Sequence, residues 1–133
     1  MTIEDLRPCC KCITQWYILL LSKLARYQHY NAKAFTVWMG VLQRLATTDW
    51  FTSRVSACGV FATAYPRAPQ HLRADLRQLY SKLCRDDTPM VRRAAAFRLG
   101  KFAETMDPDT ISKDIIPLFQ DLTQDGNTPV NLV

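Results

Sequence analysis

Apolar residues recur at helical spacing through the second half of the chain. Leu72, Leu76, Leu79 and Leu83 follow one another at four, three and four, with Arg73, Asp75, Arg77 and Lys82 off the stripe. That spacing predicts an amphipathic helix, with Pro69 suited to its first turn. Asp86, Asp87, Thr88 and Pro89 then read as a helix start, and Val91, Ala95, Leu99 and Phe102 follow at four, four and three as its buried stripe. Asp107 as N-cap, Pro108 at the first position and Asp109 in the first turn begin a further helix. Its core face is Ile111, Ile115, Leu118, Phe119 and Leu122, and Pro117 is expected to kink it. Upstream, Phe35 to Leu45 predicts a helix broken or weakened at Gly40, with Leu42, Leu45 and Trp38 on one face. A helix from Trp50 to about Ala64 carries Val55, Ala57, Cys58, Phe61 and Ala64 inward and stops before Pro66. Gly59 is read as allowing a close helix contact.

The pattern repeats. Thr48 to Arg54 (TDWFTSR) aligns with Asp86 to Arg92 (DDTPMVR) at an offset of 38, and Asp125 to Asn131 (DGNTPVN) follows at 39. One turn and helix start at a near-constant period predicts an array of helical hairpins. Arg92 and Arg93 stand in a first helical turn, where the helix dipole repels cations. Asp86, six residues before Arg92, is expected to relieve this by accepting from that guanidinium or from the free N–H groups of the helix end.

Residues 1–40 read as a leader outside this pattern. Cys9, Cys10 and Cys12 crowd together, but no second pair or His at ligand spacing follows, so they predict no metal site. The apolar run Ile13 to Leu21 is too short to span a bilayer and lacks a clear small-residue cleavage site after it. A helix from about Ile13 to Tyr30, packed on the first hairpin, is the expectation there.

Composition narrows the function classes. A length of 133 residues with 48% hydrophobic content suits one modest globular domain. The formal charge of +5 divides into +3 for residues 1–40 and +2 for residues 41–133. The repeat region is therefore nearly balanced, whereas a nucleic-acid surface concentrates Lys and Arg. A basic α-solenoid binding nucleic acid through Arg92, Arg93, Arg98 and Lys101 remains the alternative, diluted by Asp86, Asp87 and Glu104. Five cysteines without paired spacing favour a reducing compartment, hence the cytoplasm, with the nucleus as a second setting. His71 and the other histidine lack partners, no Gly-rich phosphate loop is present, and the acids fall at caps and turns. No enzyme, catalytic residue, metal or cofactor is expected, and neither nucleic acid nor membrane is expected as a partner.

A tandem of helix, turn and helix, with an acid closing the turn and an Arg six residues later, resembles the HEAT repeat. Pro117, Asp125 and Asn131 occupy its Pro, Asp and Arg positions in one copy, and Gln78, Asp86 and Arg92 in the previous one. The words WFTSRVSACGVF, YPRAP, LCRDDTPMVRRAAAFRLGKFA and DIIPLFQDLTQD resemble the 65 kDa regulatory, or scaffold, subunits of protein phosphatase 2A over residues 41–133. The resemblance implies an all-α HEAT-repeat superhelix. It would comprise the end of one repeat at 41–65, a full repeat at 68–106 and most of the next at 108–133. It also implies a non-catalytic scaffold whose intra-repeat turns dock a variable, B-type regulatory subunit. Trp50, Phe51, Asp87, Thr88, Pro89, Met90 and Arg93 are the implied contacts. Asp86, Arg92 and Pro117 belong to the implied structural ladder between turns. Asn131 departs from the expected Arg. The match lacks the C-terminal repeats that would hold the catalytic subunit, so direct binding of that subunit is not expected. So short an array implies a truncated product with sticky ends, and an inert or dominant-negative role is the further alternative.

Overall fold

The computed structural model describes residue 19 and residues 32–126, and among these there is no strand. The described chain runs through α1 (Ala32–Thr47), α2 (Phe51–Ala57), α3 (Phe61–Ala64), a 3-10 turn (Tyr65–Arg67), α4 (Gln70–Cys84) and α5 (Pro89–Ala103). It continues through α6 (Pro108–Thr110), a π-helical turn (Ile111–Ile115) and α7 (Ile116–Gln124). Helix α1 packs on α2 and α4 packs on α5, giving two hairpins, and α6 to α7 opens a third. Like elements also stack on like: α1 meets α4, α4 meets α7, and α2 meets α5. This is the two-layer arrangement of a helical solenoid, in which each hairpin completes its core only against its neighbours.

The stripes of α4 and α5 face the core as their spacing predicts. Leu76, Leu79 and Leu83 of α4 are buried, and so are Val91, Ala95, Leu99 and Phe102 of α5. Leu72 is only partly buried. Between them lies an aromatic cluster that joins the first hairpin to the second. Phe61 of α3 meets Tyr80 of α4 edge-on at 5.1 Å, and Phe102 of α5 at 5.8 Å. Tyr65 meets Phe102 at 5.4 Å. Edge-to-face pairs of this kind add about 0.5–1.5 kcal/mol each beyond the area they bury. The Tyr80 hydroxyl donates to the Ala95 carbonyl at 2.5 Å, so the ring is buried with its polar tip satisfied.

Several boundaries differ from the sequence expectation. Helix α1 continues through Gly40 without a break and crosses the edge set at residue 40, with Phe35, Trp38 and Met39 in the same core as Leu42. Burial of a continuous face outweighs the modest helix cost of one glycine. The helix expected from Trp50 to Ala64 is interrupted between Ala57 and Phe61. The break turns Cys58, Val60 and Phe61 together into the core, which a straight helix would not do. The chain then passes through Pro66 in a 3-10 turn rather than stopping before it. Pro117 is accommodated by the wide π turn that precedes it: the ring lacks the N–H for the Lys113 carbonyl and crowds that turn, and widening relieves both. Phe119, expected in the core, is 38% exposed. Expectations for residues 1–31 lie outside the described residues, apart from an exposed, helical Leu19. So do those for Pro129 and Asn131. No described helix is long and apolar enough to cross a membrane.

Candidate protein-docking ridge

The loops before α2 and α5 share one backbone design. Trp50 and Thr88 occupy the N-cap positions in extended conformation, at φ −77°, ψ 109° and φ −88°, ψ 120°, and neither caps with its side chain. The side chains around them serve the neighbouring hairpin instead. Arg54, in the first turn of α2, donates from Nε to Asp86 Oδ2 at 2.8 Å and from Nη2 to Asp86 Oδ1 at 3.2 Å. Its Nη2 also reaches Thr88 Oγ1 at 3.1 Å, and its Nη1 holds the Thr48 carbonyl at 2.6 Å. Arg92, at the equivalent place in α5, donates to Asp125 Oδ2 and holds the Asp86 carbonyl at 2.6 Å. Each arginine thus closes its own turn through the carbonyl six residues earlier and grips the acid of the next turn.

Of the two partners expected for Asp86, the N–H at the helix start is met and the guanidinium is corrected. Its carboxylate takes Arg54 of the preceding hairpin and the N–H of Thr88 at 2.9 Å, while Arg92 touches only its carbonyl. The reason is directional. Within one turn the guanidinium points along the array toward the next hairpin, and the carboxylate points back toward the previous one. Sequence reasoning left Arg54 out of the ladder, although the 38-residue offset that aligns it with Arg92 was the signal for it. Thr48 fills the acid position in the first turn and contributes only a carbonyl. Pro117 makes no rung; it lies exposed beside a groove of about 530 Å³ between α4 and the π turn. Two further cross-hairpin pairs, Arg77 with Asp114 and Arg85 with Asp121, both at 2.6 Å, repeat the same polarity in the layer of α4 and α7.

Around these rungs the turns expose apolar side chains. Trp50 is 60% exposed, Phe51 40% and Met90 57%. Asp87, Pro89 and Arg93 are exposed beside them, and Thr88 is half-buried. Because Arg54 binds Asp86 and Thr88 directly, the Trp50 turn and the Met90 turn lie side by side along one edge. Such an edge offers large apolar anchors among charges that set register, which suits a protein partner. Of the four cations of the nucleic-acid alternative, one is drawn away from the rest. Arg92 is committed to Asp125, and Arg98 stands over the Phe97 ring at 5.7 Å. Phe97 itself, 80% exposed, was not anticipated. The described thiols are not reactive centres: burial pushes Cys58 and Cys84 each up to about 12.

Stacked α-hairpins tied by an arginine–aspartate ladder define a HEAT-repeat solenoid, and residues 69–130 match the family described as PPP2R1A-like HEAT repeat. The named relatives are phosphatase 2A scaffold and regulatory subunits. The chain is 42% identical, over 106 residues, to a probable serine/threonine-protein phosphatase PP2A regulatory subunit of Caenorhabditis elegans, covering 80% of this chain and 18% of that protein. That stretch is too long to lie wholly within residues 41–133, so the likeness begins before Val41. It is 50% identical over 83 residues to the human beta isoform of the phosphatase 2A 65 kDa regulatory subunit, covering 62% of this chain and 14% of that one. It is 57% identical over 68 residues to the Drosophila melanogaster PP2A 65 kDa regulatory subunit, covering 51% and 12%. The chain therefore spans less than a fifth of the length of these relatives, all of them regulatory subunits by name.

Proposed function

We propose that this chain is a non-catalytic scaffold segment of the phosphatase 2A type, whose stacked turns dock a variable regulatory subunit. The observation that supports it most is the Arg54 clamp, which sets the Trp50, Phe51 and Met90 side chains along one edge. A rigid row of turns binds at little ordering cost, because its anchors are held before the partner arrives. Asp87 and Arg93 beside Pro89 and Met90 supply opposite charges that orient the partner, while the aromatic anchors supply affinity. The relatives' names are the second support, since they are scaffold and regulatory subunits.

The test is a binding titration of the full chain with purified phosphatase 2A regulatory subunits, comparing Trp50→Ala and Met90→Ala with the unsubstituted protein. Each substitution is expected to weaken binding by roughly tenfold or more without changing the melting temperature. Wild-type affinity in both variants would remove the turn ridge as the docking surface.

A further inference from the structure

Helix α5 carries a second apolar feature that folding does not use. Its core face is Val91, Ala95, Leu99 and Phe102. The opposite face presents Met90, Arg93, Phe97, Gly100 and Lys101 at three- and four-residue spacing, every one of them exposed. Phe97 is 80% exposed, the highest value among the large apolar side chains described.

Neighbouring hairpins do not cover this face. The side of α5 toward the first hairpin carries Arg98, whose guanidinium lies 3.8 Å from where a Gly59 Cβ would stand. The side toward the third carries Arg92, paired with Asp125, and the buried Ala96. Stacking on either side leaves Phe97 outside. Gly100 is the second observation. A Cβ placed there meets nothing within 4 Å, so no internal packing requires a glycine, yet glycine in a helix interior is destabilising relative to alanine. A residue that weakens its own helix, beside an aromatic that water must solvate, fits a surface approached closely by another backbone.

We infer that the docking surface continues from the Met90 turn down the outer face of α5, and that it receives an amphipathic helix of the regulatory subunit with an apolar stripe and acidic flanks. In this arrangement the partner helix crosses α5 at Gly100, where the missing side chain lets the two backbones approach. Phe97 enters its apolar stripe, as anchors do in helix-on-groove recognition. Acidic flanks are required because Arg93, Arg98 and Lys101 surround Phe97, with Glu104 the one acid at that end of the helix. The inference rests on the regulatory-subunit reading and adds to it the surface, the partner element and its charge.

The test measures stability and affinity for purified phosphatase 2A regulatory subunits on the same variants of the full chain. Phe97→Ala is expected to leave the melting temperature unchanged and weaken binding at least tenfold. Gly100→Ala is expected to move the two readouts in opposite directions, raising the melting temperature through helix propensity while weakening binding severalfold. Lys101→Glu is expected to weaken binding and reduce its salt dependence. Unchanged affinity in Phe97→Ala and Gly100→Ala, with Trp50→Ala and Met90→Ala still impaired, overturns this face and leaves the turn ridge standing. Failure of the unsubstituted chain to bind any regulatory subunit overturns both.

Discussion

Arg54 of the first hairpin holds Asp86 of the second with two donors, at 2.8 and 3.2 Å, and both side chains are largely withdrawn from water at 14% and 12% exposure. Asp86 reaches no such bond with the arginine of its own turn. A contact that reads in the sequence as closing one turn therefore organises the junction between two.

Removing Arg54 leaves the Asp86 carboxylate and the Thr48 carbonyl without their main donor. Arg54→Ala is expected to destabilise the chain by about 2–3 kcal/mol, less than breaking a fully buried pair because both groups keep some contact with water. Arg54→Lys is expected to recover little, since one ammonium cannot serve Thr48, Asp86 and Thr88 together. Urea unfolding of the three proteins checks this.

The buried thiols make stability sensitive to alkali. Cys58 and Cys84 are each raised from 9.0 to about 12, first by loss of hydration. An acid whose folded value stands above its unfolded one keeps its proton longer in the native state. Its contribution is whole below pH 9 and is lost as pH rises toward 12. Denaturation midpoints are expected to fall across that window, and less steeply in the Cys58→Ala, Cys84→Ala double variant. Peptide-resolved alkylation near neutral pH should leave both residues unlabelled until the chain unfolds.

At the start of α6 the sign is reversed. Hydrogen bonds from the Thr110 hydroxyl and N–H hold the Asp107 carboxyl below its ordinary 3.8. Its contribution is present above that value and is lost as pH falls through the lowered one. Asp107→Ala is expected to melt earlier than the unsubstituted protein at neutral pH, and the gap is expected to narrow in acid. Thermal melts across the acid range read it directly.

Gly59 was expected to permit a close helix contact, and the geometry asks for less. A Cβ there meets the Ser56 carbonyl at 3.6 Å and the Arg98 guanidinium at 3.8 Å, both ordinary separations, and no glycine described has positive φ. Gly59→Ala is expected to change stability by no more than about 0.5 kcal/mol, by the same urea assay. A larger loss would mean that the break between α2 and α3 depends on the glycine itself.

Helices α4 and α5 were legible in the sequence because each buries a regular stripe against its hairpin partner, and a regular stripe leaves a period of 3.6. The interrupted α2 and α3 were not: Cys58, Val60 and Phe61 face the core together only because the chain bends between Ala57 and Phe61 to meet α4 and α5. The exposed tips of the candidate ridge could be named from the repeat and its resemblance. Phe97 falls off the Val91, Ala95, Leu99 and Phe102 stripe by spacing alone, but only the stacked hairpins decide that no neighbour covers that face.

By itself the sequence determined the repeating unit, its period and the helix starts, because these depend on spacing, caps and prolines within a few residues. Only the tertiary structure decided which charges form the rungs, where α1 begins to belong to the array, and which apolar side chains remain outside. Those outcomes depend on stacking residues more than thirty positions apart, and an aspartate six residues before an arginine is compatible with either partner until the neighbouring hairpin is in place.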